Sequence, residues 1–411
     1  MEGLHGHFKS LIHLLHRPSY ILPVIIFAQF AGTSLWFAGN AVLSEIQIKF
    51  HLDQHAVSSI TTAVQLGFIS GTFVFAFLSI ADNFRPSVVF FISSLIAAVA
   101  NLSVIAVTDA KGLLLMRFLT GFFLAGIYPV GMKIASDWFE KGLGKALGYL
   151  VGALVLGTAF PHLLKGDFHL PWKQLMIFTT AFAMAGGLAI LLIVPDGPYR
   201  KRSTQFRPGM MVAVFKSPGF RSAAFGYFGH MWELYTFWAF VPLLVQLHNQ
   251  RTGPPLNVPL TSFITIAVGS LGCVIGGWLS GKLGSARIAF YALACSGLCC
   301  VFSPWLIHID NTAFIIFLMI WGTSVVADSP QFSALVAATA PPQLKGTALT
   351  IVTSIGFAIT ILSIFLLDRL LHRFDFSTNL FVILSLGPVL GLITMRSLLS
   401  RHYISEKPSH V

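Results

Sequence analysis

The chain has 411 residues, of which 55% are hydrophobic and only 10% charged, and it carries a formal net charge of +11. A soluble domain needs more charge than this to cover its surface, so a water-exposed globule is excluded. The apolar residues also come in runs of roughly 20, long enough to cross a bilayer, and in lipid such runs satisfy their backbone groups only as helices.

In chain order, residues 1–18 come before the first run. Leu11, Ile12, Leu14 and Leu15 alternate there with Lys9, His13, His16 and Arg17. That pattern fits either a short amphipathic helix at the headgroups or a solvated tail. The run after Arg17 is too long for a signal peptide and more runs follow it, so cleavage is not expected. Twelve spans are predicted, at 19–43, 55–80, 87–107, 112–136, 143–164 and 172–194, then 220–247, 259–280, 286–307, 313–338, 346–367 and 377–398. They divide the chain into a six-helix half over 1–197, a linker over 198–219 and a second six-helix half over 220–411. The expected fold class is an all-α membrane protein of twelve transmembrane helices in two pseudo-symmetric halves.

The Lys and Arg residues support this count. With both termini cytoplasmic, 18 of the 26 fall in cytoplasmic segments and 7 in outer loops, with Arg117 inside a span. That is the positive-inside bias, and an odd number of spans would spoil it. Arg200, Lys201, Arg202, Arg207, Lys216 and Arg221 cluster in and just after the central loop. An anionic leaflet accounts for such a cluster, so membrane lipids rather than nucleic acid are the expected partners. The cell (inner) membrane is the expected location. Cys273, Cys295, Cys299 and Cys300 all lie inside apolar runs, which argues against an extracellular disulfide. Cys295 and Cys299 share a helix face, open to reading as small core residues or as a soft-metal pair. No zinc spacing is present, and no metal or cofactor is expected.

A charge deep in a span costs at least about 2.5 kcal/mol on insertion scales and so asks for a reason. Arg117, Glu233 and Asp328 stand clearly in this position, in the fourth, seventh and tenth spans. Polar residues line up with them at helical spacing. The first span aligns Gln29, Thr33, Trp36 and Asn40; the fourth aligns Arg117, Gly121, Leu124 and Tyr128. The seventh aligns Tyr227, His230, Glu233 and Phe237; the tenth aligns Trp321, Ser324, Asp328 and Gln331. Converging stripes of this kind predict a wet, aromatic-lined pocket near midplane. Arg117 either ties helices together or grips an anion in its fork. Glu233 and Asp328 are the candidate proton carriers, with His230 as a relay. Gln29, Trp36, Asn40, Tyr128, His230 and Gln331 complete the candidate solute site.

A weak internal repeat follows the second and eighth spans. The first copy runs from Leu78 through Asp82 and Arg85 to Pro86; the second runs from Gly277 through Gly281, Lys282 and Gly284 to Arg287. Their matched placement resembles the loop motif of the major facilitator superfamily, although Gly281 stands where the acid of the second copy would be. Arg117 and Gly121 resemble that superfamily's Arg-x-x-x-Gly motif. Gly148, Gly152, Gly157 and Pro161 partly match its antiporter pattern, without the Gly-Pro pair that defines it. The resemblance implies two halves rocking about a cavity lined by spans one, four, seven and ten. It also implies gating roles for Asp82, Arg85, Lys282 and Arg287. Similarity to the nitrate/nitrite branch fails, because the second and eighth spans contain no arginine.

A polytopic membrane enzyme is the rival class, but neither His-Glu-x-x-His nor a Gly-x-Ser nucleophile in a polar pocket occurs. The expected function is proton-coupled secondary transport of a small organic solute, carboxylate-bearing or zwitterionic, by a monomer. Proton-driven efflux of a drug or metabolite is the alternative.

Overall fold

The computed structural model describes residues 19–139, 143–200, 214–251, 253–341 and 344–405, with side chains up to residue 399. The expected amphipathic segment at the N-terminus and most of the linker lie outside the described residues. Those described are helical, with no strand among them. The first half holds α1 (Ile21–Thr33, Ala38–Ala41 and Leu43–Phe50), α2 (Ala56–Phe77), α3 (Pro86–Ser103), α4 (Ala110–Leu124 and Tyr128–Trp138), α5 (Leu143–Gly166) and α6 (Trp172–Ile193). The second half holds α7 (Pro218–Asn249), α8 (Val258–Ala267 and Gly269–Leu283), α9 (Ser285–Leu306), α10 (Asn311–Ala327 and Ser329–Thr339) and α11 (Lys345–Arg373). It closes with α12, which starts as a 3₁₀ turn over Thr378–Ser385 and continues through Leu386–Ser405.

Ten of these are long and apolar enough to cross a membrane. The other two are α1, which is broken, and α7, whose 32 residues include His230, Glu233, Tyr227 and Tyr235. Large apolar side chains face outward, with Leu192 at 72% and Trp305 at 64% exposure, the reverse of a water-soluble surface. The outward face is built for lipid.

The packing repeats between halves. α2 lies against α4, α3 against α4 and α6, and α1 against α5 and α6. In the same way α8 lies against α10, α9 against α10 and α12, and α7 against α11 and α12. The halves join through α5 on α8 and α2 on α11. Local chemistry repeats too. Asp109 accepts from the Gly112 N–H to start α4, and Asp310 accepts from the Thr312 and Ala313 N–H groups to start α10. Both helices break near the middle and restart with Pro129 or Pro330 in the first turn, where a missing N–H costs nothing.

Close helix contact is made by glycine. A Cβ on Gly121 would sit 1.9 Å from the Val64 carbonyl oxygen of α2, and one on Gly322 would sit 1.8 Å from the Thr265 carbonyl oxygen of α8. Small residues of this kind let membrane helices approach backbone to backbone.

The expected continuous first span is corrected by the structure. α1 breaks over Ser34–Phe37, so Gln29, Thr33, Trp36 and Asn40 do not form one stripe. The side chains of Thr33 and Ser34 hydrogen-bond back to the carbonyls of Gln29 and Ala31 at 2.8 and 2.7 Å, competing with the helix ladder where it stops.

Candidate functional site

A break inside a membrane helix strands carbonyl groups that no water can reach, so something must donate to them. Arg117 does this for α1. Its Nη2 donates to the carbonyls of Leu35 and Trp36 at 2.9 and 2.7 Å, and its Nη1 donates to Asn101 Oδ1 of α3 at 3.0 Å. Asn101 donates in turn to Thr179 and Thr180 of α6, both at 3.2 Å. Arg117 is fully buried, and its terminal nitrogens are occupied by its own half.

Glu233 occupies the matching place in the second half. Its carboxylate accepts from Trp321 Nε1 of α10 at 2.7 Å, from Ser296 Oγ of α9 at 2.8 Å and from Cys300 Sγ at 3.2 Å. Each half therefore places one buried charge where its first, third and fourth helices meet, a cation in one and an acid in the other. The predicted meeting of Arg117 and Glu233 in one pocket does not occur in this conformation.

Asp328 sits at the break of α10, between Ala327 and Ser329, and is fully buried. His230 Nδ1 of α7 is 2.8 Å from its Oδ1, an ion-pair distance. Asp328 Oδ2 has no hydrogen-bond partner among the described residues. The His230 ring also lies beside those of Tyr227 and Phe332, at 5.8 and 5.9 Å.

Next to this pair lies a narrow cavity between the halves, nearly closed in this conformation. Tyr128, Val151 and Leu154 line it from the first half. Tyr227, Met231, Leu234, Tyr235, Trp238, Val326, Ser329 and Phe357 line it from the second. The lining residues Tyr227 and Met231 flank His230 along the chain, and Val326 and Ser329 flank Asp328. Trp36 stacks on both Tyr235 and Phe357 at 5.6 Å, so an aromatic cluster sits over the cavity.

The remaining predicted residues are scattered. Asn40 donates to Thr61 Oγ1 of α2 at 2.7 Å. Gln29 is buried against Gly131, with its amide unbonded among the described residues. Gln331 is buried in α10. Asp82 pairs with Lys133 at 2.8 Å, and Arg85 with Asp196 at 3.6 Å, so these charges join ends of α2, α4 and α6 within the first half. Lys282 and Arg287 form no ion pair among the described residues.

Tyr235, Trp238 and Phe357 were not singled out from sequence because aromatic residues in a span look like packing. Asp368 was missed for a different reason. The expected span ends at residue 367, whereas α11 runs on to Arg373 and buries Asp368 to 1%. His372, one turn away, was the available signal.

A profile of the Major Facilitator Superfamily matches residues 24–364. The chain belongs to the major facilitator superfamily. It is therefore a multi-pass membrane transporter of small solutes. Among solved structures it is similar to the human organic anion transporter MFSD10 (TETRAN), with a TM-score of 0.74 at 13% identity, over 92% of this chain and 100% of that one. At that identity the likeness shows the fold. No curated protein matches the sequence. The cavity between the halves is lined from α4 and α5 on one side and from α7, α10 and α11 on the other.

Proposed function

We propose that this superfamily member is a proton-coupled secondary transporter of a small, largely apolar organic solute, working as a monomer by alternating access to the cavity between its halves. The observation that carries the reading is the buried Asp328–His230 pair, incompletely bonded and set at a helix break beside an aromatic cavity. Intramembrane ionisable groups are costly and usually functional, and here the pair adjoins a hinge point. A proton arriving on Asp328 neutralises its carboxylate and so changes the contact with His230 that joins α7 to α10. Proton occupancy is thereby tied to movement of α10. Three tyrosines, Trp238 and Phe357 offer stacking faces and hydroxyls to an uncharged or weakly basic solute. Glu233 and Arg117 hold the frames of the two halves while this happens. The loop charges Asp82 and Arg85, paired with Lys133 and Asp196, tie the ends of α2, α4 and α6 together.

The test is solute accumulation in proteoliposomes under an imposed pH gradient. Asp328→Asn is expected to abolish accumulation while passive exchange survives. Full gradient-driven accumulation by Asp328→Asn would overturn the coupling role.

An organic anion carried with protons is a second reading. It is favoured by the name of the structural neighbour and by Arg117 Nε, which has no hydrogen-bond partner among the described residues. Movement of α1 would expose that cation to the cavity. Offering neutral, basic and carboxylate solutes side by side to the same vesicles separates the two.

A further inference from the structure

Away from the cavity, at the bundle end opposite the termini, α2 begins and α11 finishes. Residues from both halves meet there. His55 Nδ1, at the N-cap of α2, is 2.6 Å from Asp368 Oδ2, and Ser58 Oγ donates to the same oxygen at 2.9 Å. His372 stands one turn beyond Asp368 on the same face of α11, with its Nδ1 2.8 Å from the Asp368 backbone carbonyl and 3.7 Å from Oδ1. The two imidazoles are edge-to-face at 4.7 Å. Asp368 is only 1% exposed, yet its Oδ1 has no hydrogen-bond partner among the described residues. One ligating atom from each of His55, Asp368 and His372 falls within 4.8 Å of the others.

We propose that His55, Asp368 and His372 form a binding site for a borderline divalent transition metal of the Zn²⁺ class, joining the two halves. Two imidazoles and a carboxylate suit Zn²⁺, Ni²⁺ or Cu²⁺ rather than Mg²⁺ or Ca²⁺, which prefer all-oxygen sites. Metal–ligand bonds of about 2.0–2.2 Å set the donor atoms about 3.3 Å apart, so the direct His55–Asp368 contact at 2.6 Å opens slightly while the wider pairs draw in. Each part of the surroundings is compatible with coordination. The His372 Nδ1–H is held by a backbone carbonyl, which fixes the ring and leaves a lone pair on the other nitrogen. Ser58 supports the carboxylate from outside the ligand set. The histidine side chains are 20% and 16% exposed, which provides an entry path and room for water as a fourth ligand.

Two ligands come from α11 and one from α2, so the metal binds best where these ends are adjacent. By its differential affinity it holds the halves together at this end. Chelation would thus act on the conformational equilibrium without touching the solute cavity.

The test uses the full chain in detergent after exhaustive chelation, titrated with ZnCl₂ by calorimetry and by thermal melting. Wild type is expected to bind one Zn²⁺ with a rise in melting temperature, and MgCl₂ to give no effect. His55→Gln and His372→Gln should each weaken Zn²⁺ binding at least about tenfold. His308→Gln, in the loop between α9 and α10, should bind like wild type. Substituting Co²⁺ in wild type should give the visible bands of a four-coordinate site, a readout that does not depend on any variant folding. No Zn²⁺ binding or no Co²⁺ bands in wild type, or wild-type affinity in both histidine variants, would refute the site.

Discussion

Arg117 shows how one residue can fit two opposite expectations until its neighbours are known. Its position in an apolar span marks it as costly, and that much is legible in sequence. What it does depends on the carbonyls of Leu35 and Trp36, which are free to accept only because α1 breaks there. A lysine cannot reach both carbonyls and Asn101 at once, since its single ammonium lacks the guanidinium fork. Arg117→Lys should therefore lower the stability of the empty protein by about 3 kcal/mol, the scale of losing one or two charge-assisted hydrogen bonds in a buried site. Thermal melting in detergent measures it. An unchanged melting temperature with selective loss of solute binding would return Arg117 to the solute site. Glu233 follows the same logic with opposite sign, and Asp328 differs from both because its bonding is incomplete.

Among elements, the glycines of α4 and α10 decide whether α2 and α8 can pack at all. A Cβ on Gly322 would overlap the Thr265 carbonyl oxygen, a backbone atom that no rotamer change can move. Gly322→Ala is expected to cost several kcal/mol, beyond the about 1–3 kcal/mol of ordinary overpacking, and to abolish the folded monodisperse peak in size-exclusion chromatography. Gly281 belongs to the repeated loop motif, yet a Cβ there meets nothing within 4 Å. Gly281→Ala should elute and melt like wild type, and loss of its folded peak would show that this packing account is wrong. Motif membership and structural necessity separate here, and only the packed neighbours reveal which glycine is which. The breaks in α4 and α10 sit next to Pro129 and Pro330, so they had a sequence signal. The break in α1 had none, because Ser34 and Leu35 are ordinary in a span.

For the whole molecule, the pseudo-symmetric halves meet along α2–α11 and α5–α8. Polar ties run from Gln65 Oε1, which accepts from Thr360, to Asn257, which donates to the Gly166 carbonyl at 2.9 Å. The orientation of this bundle is expected from charge alone. A cysteine placed at Arg251 should be labelled by an impermeant reagent added outside intact cells, whereas one at Thr204 should be labelled only after permeabilisation. Labelling at Thr204 in intact cells would invert the topology.

By itself, the sequence determined that the chain lives in lipid, that it crosses about a dozen times, and that its two halves resemble each other. Hydrophobic run length, charge bias and caps such as Asp109 and Asp310 are local properties, and local properties survive in a linear string. The tertiary structure alone decided which buried charges meet. Arg117 and Glu233 stand on stripes of regular helical period, but the acceptors on α1 and α3 and the donors on α9 and α10 draw each into its own half. His55 and Asp368 lie 313 residues apart and share a hydrogen bond because two helices from different halves end side by side. Pairing energy in a low-dielectric interior falls on whichever polar group is nearest in space, and sequence separation carries no information about that distance.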